Sequence, residues 1–216
     1  YWQLNDCWPV VSWSSVDFYK NPKALYFTAK KMFESVILSF NENEKIQLWV
    51  ISDNKAFDKN KLIIKQIDFD GNLLWDTILP NIKIKENFSE KIWENDTTAF
   101  KLNKYKNNSL LVAELWDEDS IICRELYFFA SPKNLELKKP EINISTKRIA
   151  IDKAVITLQS NILAKDIMLE SIENTEFSDN FFDLLPGEKK EIIIKSTNIG
   201  NALRSLNITD LSDIEN

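Results

Sequence analysis

From residue 35 onward, short runs of alternating apolar and polar residues dominate the chain, and this period of two limits the fold more than any other feature. Alternation sends successive side chains to opposite faces of a strand, so each run has one face suited to a core. The runs are rich in β-branched and aromatic residues and occur at 36–40, 45–52, 61–69, 72–79, 97–102, 109–116 and 121–129. Asp70-Gly71 has the composition of a hairpin turn. Together these runs predict an antiparallel β-sandwich over about 95 residues.

A charged connection at 133–139, between Pro132 and Pro140, predicts a domain boundary. Alternating runs return beyond it at 154–160, 166–171, 189–196 and 203–208, and Pro186-Gly187 predicts a tight turn. The sequence therefore predicts a mainly β protein. A first antiparallel sandwich is expected at 35–138 and a second, smaller one at 139–216.

Residues 1–34 have a different pattern. An extended segment at 1–9 leads into a loop rich in hydroxyl residues, and Asn21-Pro22 predicts the N-cap and first residue of a helix over about 22–34. The helical spacing predicts an apolar face of Leu25, Ala29, Met32 and Phe33. One strand, one loop and one helix cannot form a core, so we expect this piece to pack on other parts of the protein.

Composition excludes several classes of function. The formal charge of −6, from 27 basic and 33 acidic residues, argues against nucleic acid or an anionic membrane as a partner. The chain has no histidine, which excludes a histidine-based triad and an imidazole metal site. No apolar run approaches the roughly 20 residues that cross a bilayer.

Aromatic and polar residues are concentrated at the start of the chain. Three of the seven tryptophans fall within the first thirteen residues, interleaved with Gln3, Asn5 and Asp6. Flat aromatic faces beside fixed hydrogen-bonding groups suit a sugar, because a pyranose has an apolar face and a rim of hydroxyl groups. A core strand that ends in a polar turn is the alternative interpretation.

Two motifs resemble the β-mannosidases of glycoside hydrolase family 2. The first is Trp2-Gln-Leu-Asn-Asp-Cys-Trp-Pro, followed by Ser12-Trp-Ser-Ser and Asn21-Pro-Lys-Ala-Leu, which is similar to the end of that family's catalytic barrel. The second is Phe177-Ser-Asp-Asn-Phe-Phe-Asp-Leu-Leu-Pro-Gly-Glu, which resembles its C-terminal immunoglobulin-like domain. The resemblance implies that residues 1–34 are strand eight, its loop and the last helix of a (β/α)8 barrel. It also implies that both sandwiches are immunoglobulin-like.

The resemblance further implies the C-terminal piece of a longer polypeptide, an exo-β-mannosidase that releases terminal β-D-mannose with retention and without a metal or organic cofactor. Retaining hydrolysis needs two carboxyl groups about 5 Å apart. The resemblance implies that both are glutamates upstream of Tyr1, so we expect no catalytic residue here and no activity from the chain alone. The expected partners are a β-mannoside and the upstream barrel, with the sandwiches as structural supports. The residues leave the compartment open, and the resemblance implies a periplasmic, secreted or lysosomal-like one.

Four residues are implied as substrate-binding. Barrel active sites lie at the carboxyl ends of the strands, and the resemblance implies that Trp2 forms a wall of the −1 subsite. Asn5 and Asp6 are expected to orient that wall or a neighbouring catalytic group, and Trp8 to frame the pocket rim. For the last three residues, a satisfied polar network beneath the loop stays an alternative.

Two other functions stay open at this point. One is a family 2 glycosidase with another glycone, such as a β-galactosidase or β-glucuronidase. The other is a non-catalytic carbohydrate-binding sandwich that grips its ligand through Trp75 or Trp93. Trp93 lies in a stretch with no strand pattern and is therefore expected at the surface. Exposed coplanar rings would favour the binding module, and burial of the rings would favour structural bracing.

Overall fold

Residues 2–213 are described by a computed structural model. The chain divides into two compact units: the first unit is Met32–Glu136, and the second unit combines Tyr1–Lys31 with Leu137–Asn216. Each unit contains an antiparallel β-sandwich, which confirms the predicted mainly β fold.

The first unit pairs a three-stranded sheet with a four-stranded sheet. The smaller sheet has the order β1-β2-β5 and consists of β1 (Val36–Glu42), β2 (Ile46–Ser52) and β5 (Phe88–Asn95). The larger has the order β4-β3-β6-β7 and consists of β3 (Phe57–Asp68), β4 (Leu73–Ile84), β6 (Ser109–Asp117) and β7 (Ser120–Phe128).

The core of the first unit comes from the alternation that marks its strands. On β2, Leu48 and Val50 are buried while their neighbours are partly exposed, and Leu62 and Ile64 on β3 are fully buried. These side chains belong to one hydrophobic cluster that joins the two sheets. Because burial of each such side chain contributes about 1.5–3 kcal/mol, this cluster is the main source of the unit's stability.

The second unit has the same two-sheet plan. One sheet has the order β11-β13-β9-β8, and the other has the order β12-β10-β14. Their strands are β8 (Ile142–Arg148), β9 (Lys153–Ser160), β10 (Ala164–Glu170), β11 (Thr175–Phe177), β12 (Phe182–Leu184), β13 (Lys189–Ser196) and β14 (Asn207–Thr209). Its core is mainly aliphatic, with Ile156, Leu158, Ile167 and Ile192 fully buried. The turn predicted at Pro186-Gly187 is present, and Gly187 adopts a φ of 76° there.

The N-terminal segment contains one helix, α1 (Ala24–Met32). The predicted N-cap was wrong, because Asn21 uses its side-chain amide to bind Asp17 at 2.9 Å, and the helix begins at Ala24. The predicted apolar face was also wrong in part. Phe27 and Ala29 are buried, whereas Met32 and Phe33 are exposed.

Three further predictions about elements were wrong. Residues 97–102 form a 3₁₀ turn (Thr97–Ala99) ahead of a short helix, α2 (Leu102–Tyr105), instead of a strand. Part of the run at 203–208 belongs to α3 (Ile199–Arg204), where the Asn198 side chain accepts a hydrogen bond from the Asn201 amide. The stretch around Trp93 is strand β5. A register shift in its pairing with β2 breaks the alternation there, so the strand was not recognised.

Candidate functional site

Strand-like pairing between two parts of the N-terminal segment organises the loop that follows Trp2. The Ser15 amide donates to the Gln3 carbonyl at 3.0 Å, and the Val16 amide donates to the Leu4 carbonyl at 2.9 Å. Asn5 and Val16 form an isolated parallel bridge. The predicted extended segment thus pairs, at residues 3–5, with residues 15 and 16 at the end of the loop.

Asp6 is the centre of a polar network beneath this loop. Its side chain is buried, one carboxylate oxygen accepts from the Ser12 hydroxyl, and the other accepts from Lys23 Nζ at 3.1 Å. Lys23 also donates to the Ser12 carbonyl at 3.1 Å. The Ser12 hydrogen bond, followed by the contact with Lys23, holds the pKa of Asp6 below its ordinary value although burial opposes this. The ionised carboxylate therefore links Asp6 to Ser12 in the loop and to Lys23 ahead of the helix.

The two tryptophans that were predicted to bind substrate lie at the surface of the loop, above this network. Trp2 is 75% exposed and Trp8 is 64% exposed, and the Trp2–Gln3 peptide bond is cis. Asn5 is also exposed, and its side-chain amide donates to the Asp6 carbonyl at 3.2 Å. Asp6 faces inward, whereas Trp2, Asn5 and Trp8 face outward. Sequence reasoning missed Ser12 and Lys23, for which the only signal was a hydroxyl-rich loop ahead of a lysine.

The rings proposed for a carbohydrate-binding module pack into the first unit. Trp75 and Trp93 are half-buried, 6.2 Å apart between ring centroids and inclined at 51°. Buried Phe100 lies 5.2 Å from Trp75 and 6.4 Å from Trp93. The prediction that Trp93 lies at the surface was therefore wrong. Half-buried, tilted rings do not form a flat platform for a sugar, so they favour structural bracing.

Residues 2–213 lack both a metal-binding cluster and a membrane-spanning helix. No cluster of three or more acidic or cysteine side chains there could hold a metal ion. No helix in that part of the chain is long and apolar enough to cross a membrane. Both cysteines are free thiols, Cys7 at the surface and Cys123 buried.

Comparison with known families follows the division into two units. A mannosidase family model described as an Ig-fold domain matches residues 137–214, and one described as a mannosidase Ig/CBM-like domain matches residues 44–134. Residues 44–134 and 137–214 therefore belong to two mannosidase-type immunoglobulin-like domain families. The family recognised from the two sequence motifs is thereby confirmed.

Individual β-mannosidases are similar over most of this chain. Beta-mannosidase B of Aspergillus niger is 23% identical over 207 residues, which cover 88% of this chain and 24% of that protein. Beta-mannosidase B of Thermothelomyces thermophilus is 26% identical over 209 residues, covering 87% of this chain and 24% of that protein. The chain thus spans about a quarter of the length of these relatives.

Two solved structures have the same fold as this chain. The β-D-mannosidase of Dictyoglomus thermophilum superposes with a TM-score of 0.76 and 26% identity, over 97% of this chain and 25% of that one. The exo-chitosanase of Amycolatopsis orientalis superposes with a TM-score of 0.75 over 98% of this chain and 29% of that one. Its identity is 16%, so this second likeness concerns the fold alone.

Proposed function

We propose that this chain is the C-terminal part of a retaining exo-β-mannosidase that releases terminal β-D-mannose. The observation that carries the proposal is the succession of an exposed tryptophan motif and two mannosidase-type sandwiches, matched over 97% of the chain by a β-D-mannosidase structure. In this proposal residues 1–34 are the end of the catalytic barrel. Both catalytic glutamates lie outside the chain, and the sandwiches brace the barrel.

The geometry of the first loop supports specific roles for its residues. An indole that is 75% exposed leaves Trp2 free to form a wall of the −1 subsite. Trp8 frames the rim of the pocket, and Asn5, whose side-chain amide donates to the Asp6 carbonyl, helps to orient the wall. Asp6 orients this wall from beneath, because its carboxylate fixes the loop through Ser12 and Lys23.

The proposal is tested on the full-length polypeptide and on this chain alone. We expect the full-length protein to hydrolyse p-nitrophenyl β-D-mannoside with retention, since both catalytic carboxyl groups are then present. The isolated chain should show no activity above background. Preference of the full-length protein for a β-galactoside or a β-glucuronide would assign another glycone. Activity of the isolated chain, with contaminating enzyme excluded, would overturn the domain assignment.

A further inference from the structure

A cleft of about 710 Å³ lies inside the second unit, between residues 17–27 and residues 168–181. One wall comes from the N-terminal segment and includes Lys20 and Tyr26. The other comes from the second sandwich and includes Glu170, Asn174 and Phe177. Its volume falls within the range of about 300–1,000 Å³ that is usual for small-ligand sites.

Contacts within the second unit hold the two walls together. The buried Phe27 ring lies 6.0 Å from the Phe181 ring, and Lys30 Nζ donates to the Ser178 carbonyl at 2.8 Å. Helix α1 is therefore fixed against the sandwich without a ligand. A preformed cleft needs less ordering when a ligand binds, which favours affinity.

The lining suits a neutral ligand that is rich in hydroxyl groups. Tyr26 is 39% exposed, Phe177 is half-buried, and the Asn174 side chain is exposed at the opposite wall. Aromatic faces beside amides and carboxylates complement the apolar face and hydroxyl rim of a sugar. The charged lining consists of one cation, Lys20, and four carboxylates, from Asp17, Glu170, Glu173 and Glu176. This excess of negative charge disfavours phosphates and other anions.

The position of the cleft relative to the barrel rests on the proposed function. If Trp2 ends strand eight, the loop after it and the start of α1 lie at the face where barrel active sites open. Residues 17–27, which form one wall of the cleft, belong to that loop and helix. We propose that the cleft is a leaving-group subsite, which binds neutral sugar units of a β-mannan oligosaccharide beyond the scissile bond. The second sandwich then contributes to substrate selection as well as to bracing.

The test compares two substrates in the full-length enzyme. p-Nitrophenyl β-D-mannoside places only an aryl group beyond the scissile bond, whereas β-1,4-linked mannotetraose places three sugar units there. In Tyr26→Ala and in Asn174→Ala, which alter opposite walls, we expect kcat/KM for the tetraose to fall about tenfold. The aryl mannoside should stay within about twofold of the wild type. Tyr26→Phe keeps the ring and should retain most of the tetraose activity.

Ile172→Ala is the matched control, because Ile172 is 83% exposed on the same segment but does not line the cleft. It should leave both substrates unchanged. If the cleft variants lower both substrates equally, their role is structural, and if they lower neither, the cleft binds no sugar; either result overturns the subsite. A wild-type protein that cleaves neither substrate overturns the proposed function, and the subsite with it.

Discussion

At the scale of single residues, the first loop combines exposed aromatic side chains with a buried ionic one. Trp2 and Trp8 are exposed, whereas Asp6 is buried with Ser12 and Lys23 as partners. The buried carboxylate accepts hydrogen bonds from two side chains of this segment, and it thereby holds the exposed residues of the loop in position. The structure thus gives Asp6 the polar-network role, and the sugar-facing role of Trp2 and Trp8 stays a proposal.

We predict that Trp2→Ala in the full-length enzyme lowers kcat/KM for a β-mannoside about 100-fold, on the order of 3 kcal/mol. In the proposed site the indole would pack against the sugar ring as it flattens, and interactions made in the transition state raise kcat. Trp13→Ala is the control, since Trp13 is also 75% exposed and has no proposed role in the site. Unchanged kcat/KM with a clearly lower melting temperature would instead make Trp2 a packing residue.

A second prediction at this scale concerns pH. Because Ser12 and then Lys23 hold the pKa of Asp6 below its ordinary value of 3.8, the ionised carboxylate stabilises the loop above pH 3.8. This contribution is lost as the pH falls through the lowered folded pKa. Asp6→Asn should therefore speed hydrogen exchange of the Val16 amide at about pH 6, and the difference from the wild type should shrink as the pH falls through the lowered folded pKa.

Asp119→Asn, in an exposed turn of the first unit, should leave the Val16 amide unaffected at every pH. A constant difference between Asp6→Asn and the wild type across the acid range would mean that the charge of Asp6 does not stabilise the loop.

At the scale of elements, strands with strict alternation could be predicted from the sequence, whereas a strand whose burial depends on neighbouring side chains could not. β2 alternates buried and partly exposed residues along its whole length, and its position was predicted closely. β5 carries Lys91 and Glu94 at the surface and a register shift beside Trp93, which masked it. The Trp93 side chain of β5 is half-buried because Trp75 and Phe100 pack against it.

The buried thiol on β7 gives a prediction for this element. Burial is the main cause that raises the pKa of Cys123 to about 12, and a protonated thiol is a poor nucleophile. We expect Ellman's reagent to modify exposed Cys7 in the native chain and to reach Cys123 only when β7 opens. Full modification in urea is the control. Native-state reaction of both thiols at similar rates would show that β7 is not stably packed.

At the scale of the whole chain, each unit has its own hydrophobic core. Leu62 lies in the cluster of the first unit and Leu158 in that of the second, and both are fully buried. Domains with separate cores fold as units. The contact between Phe27 and Phe181 and the hydrogen bond from Lys30 attach α1 to the second sandwich and add the N-terminal segment to that unit.

We predict that Leu62→Ala and Leu158→Ala each lower the unfolding free energy of their own unit by about 2–5 kcal/mol. Scanning calorimetry should resolve two transitions, and each substitution should shift one of them. The two substitutions are matched in residue type and burial, so each is the control for the other. Equal shifts of both transitions in either variant would show that the units unfold as one.

The sequence by itself determined the fold class, the two-sandwich organisation and the family. Alternation, turn residues such as Asp70-Gly71, and two long motifs are local signals. A strand that buries one face shows that burial directly in its sequence, as an alternation of apolar and polar residues. Tertiary structure alone decided that Trp93 packs inward, that Phe27 instead of Met32 is the buried contact of α1, and that Asp6 pairs with Lys23. Each of these three contacts needs a partner that is distant in sequence. That partner, and not the residue type alone, determines whether the side chain is buried.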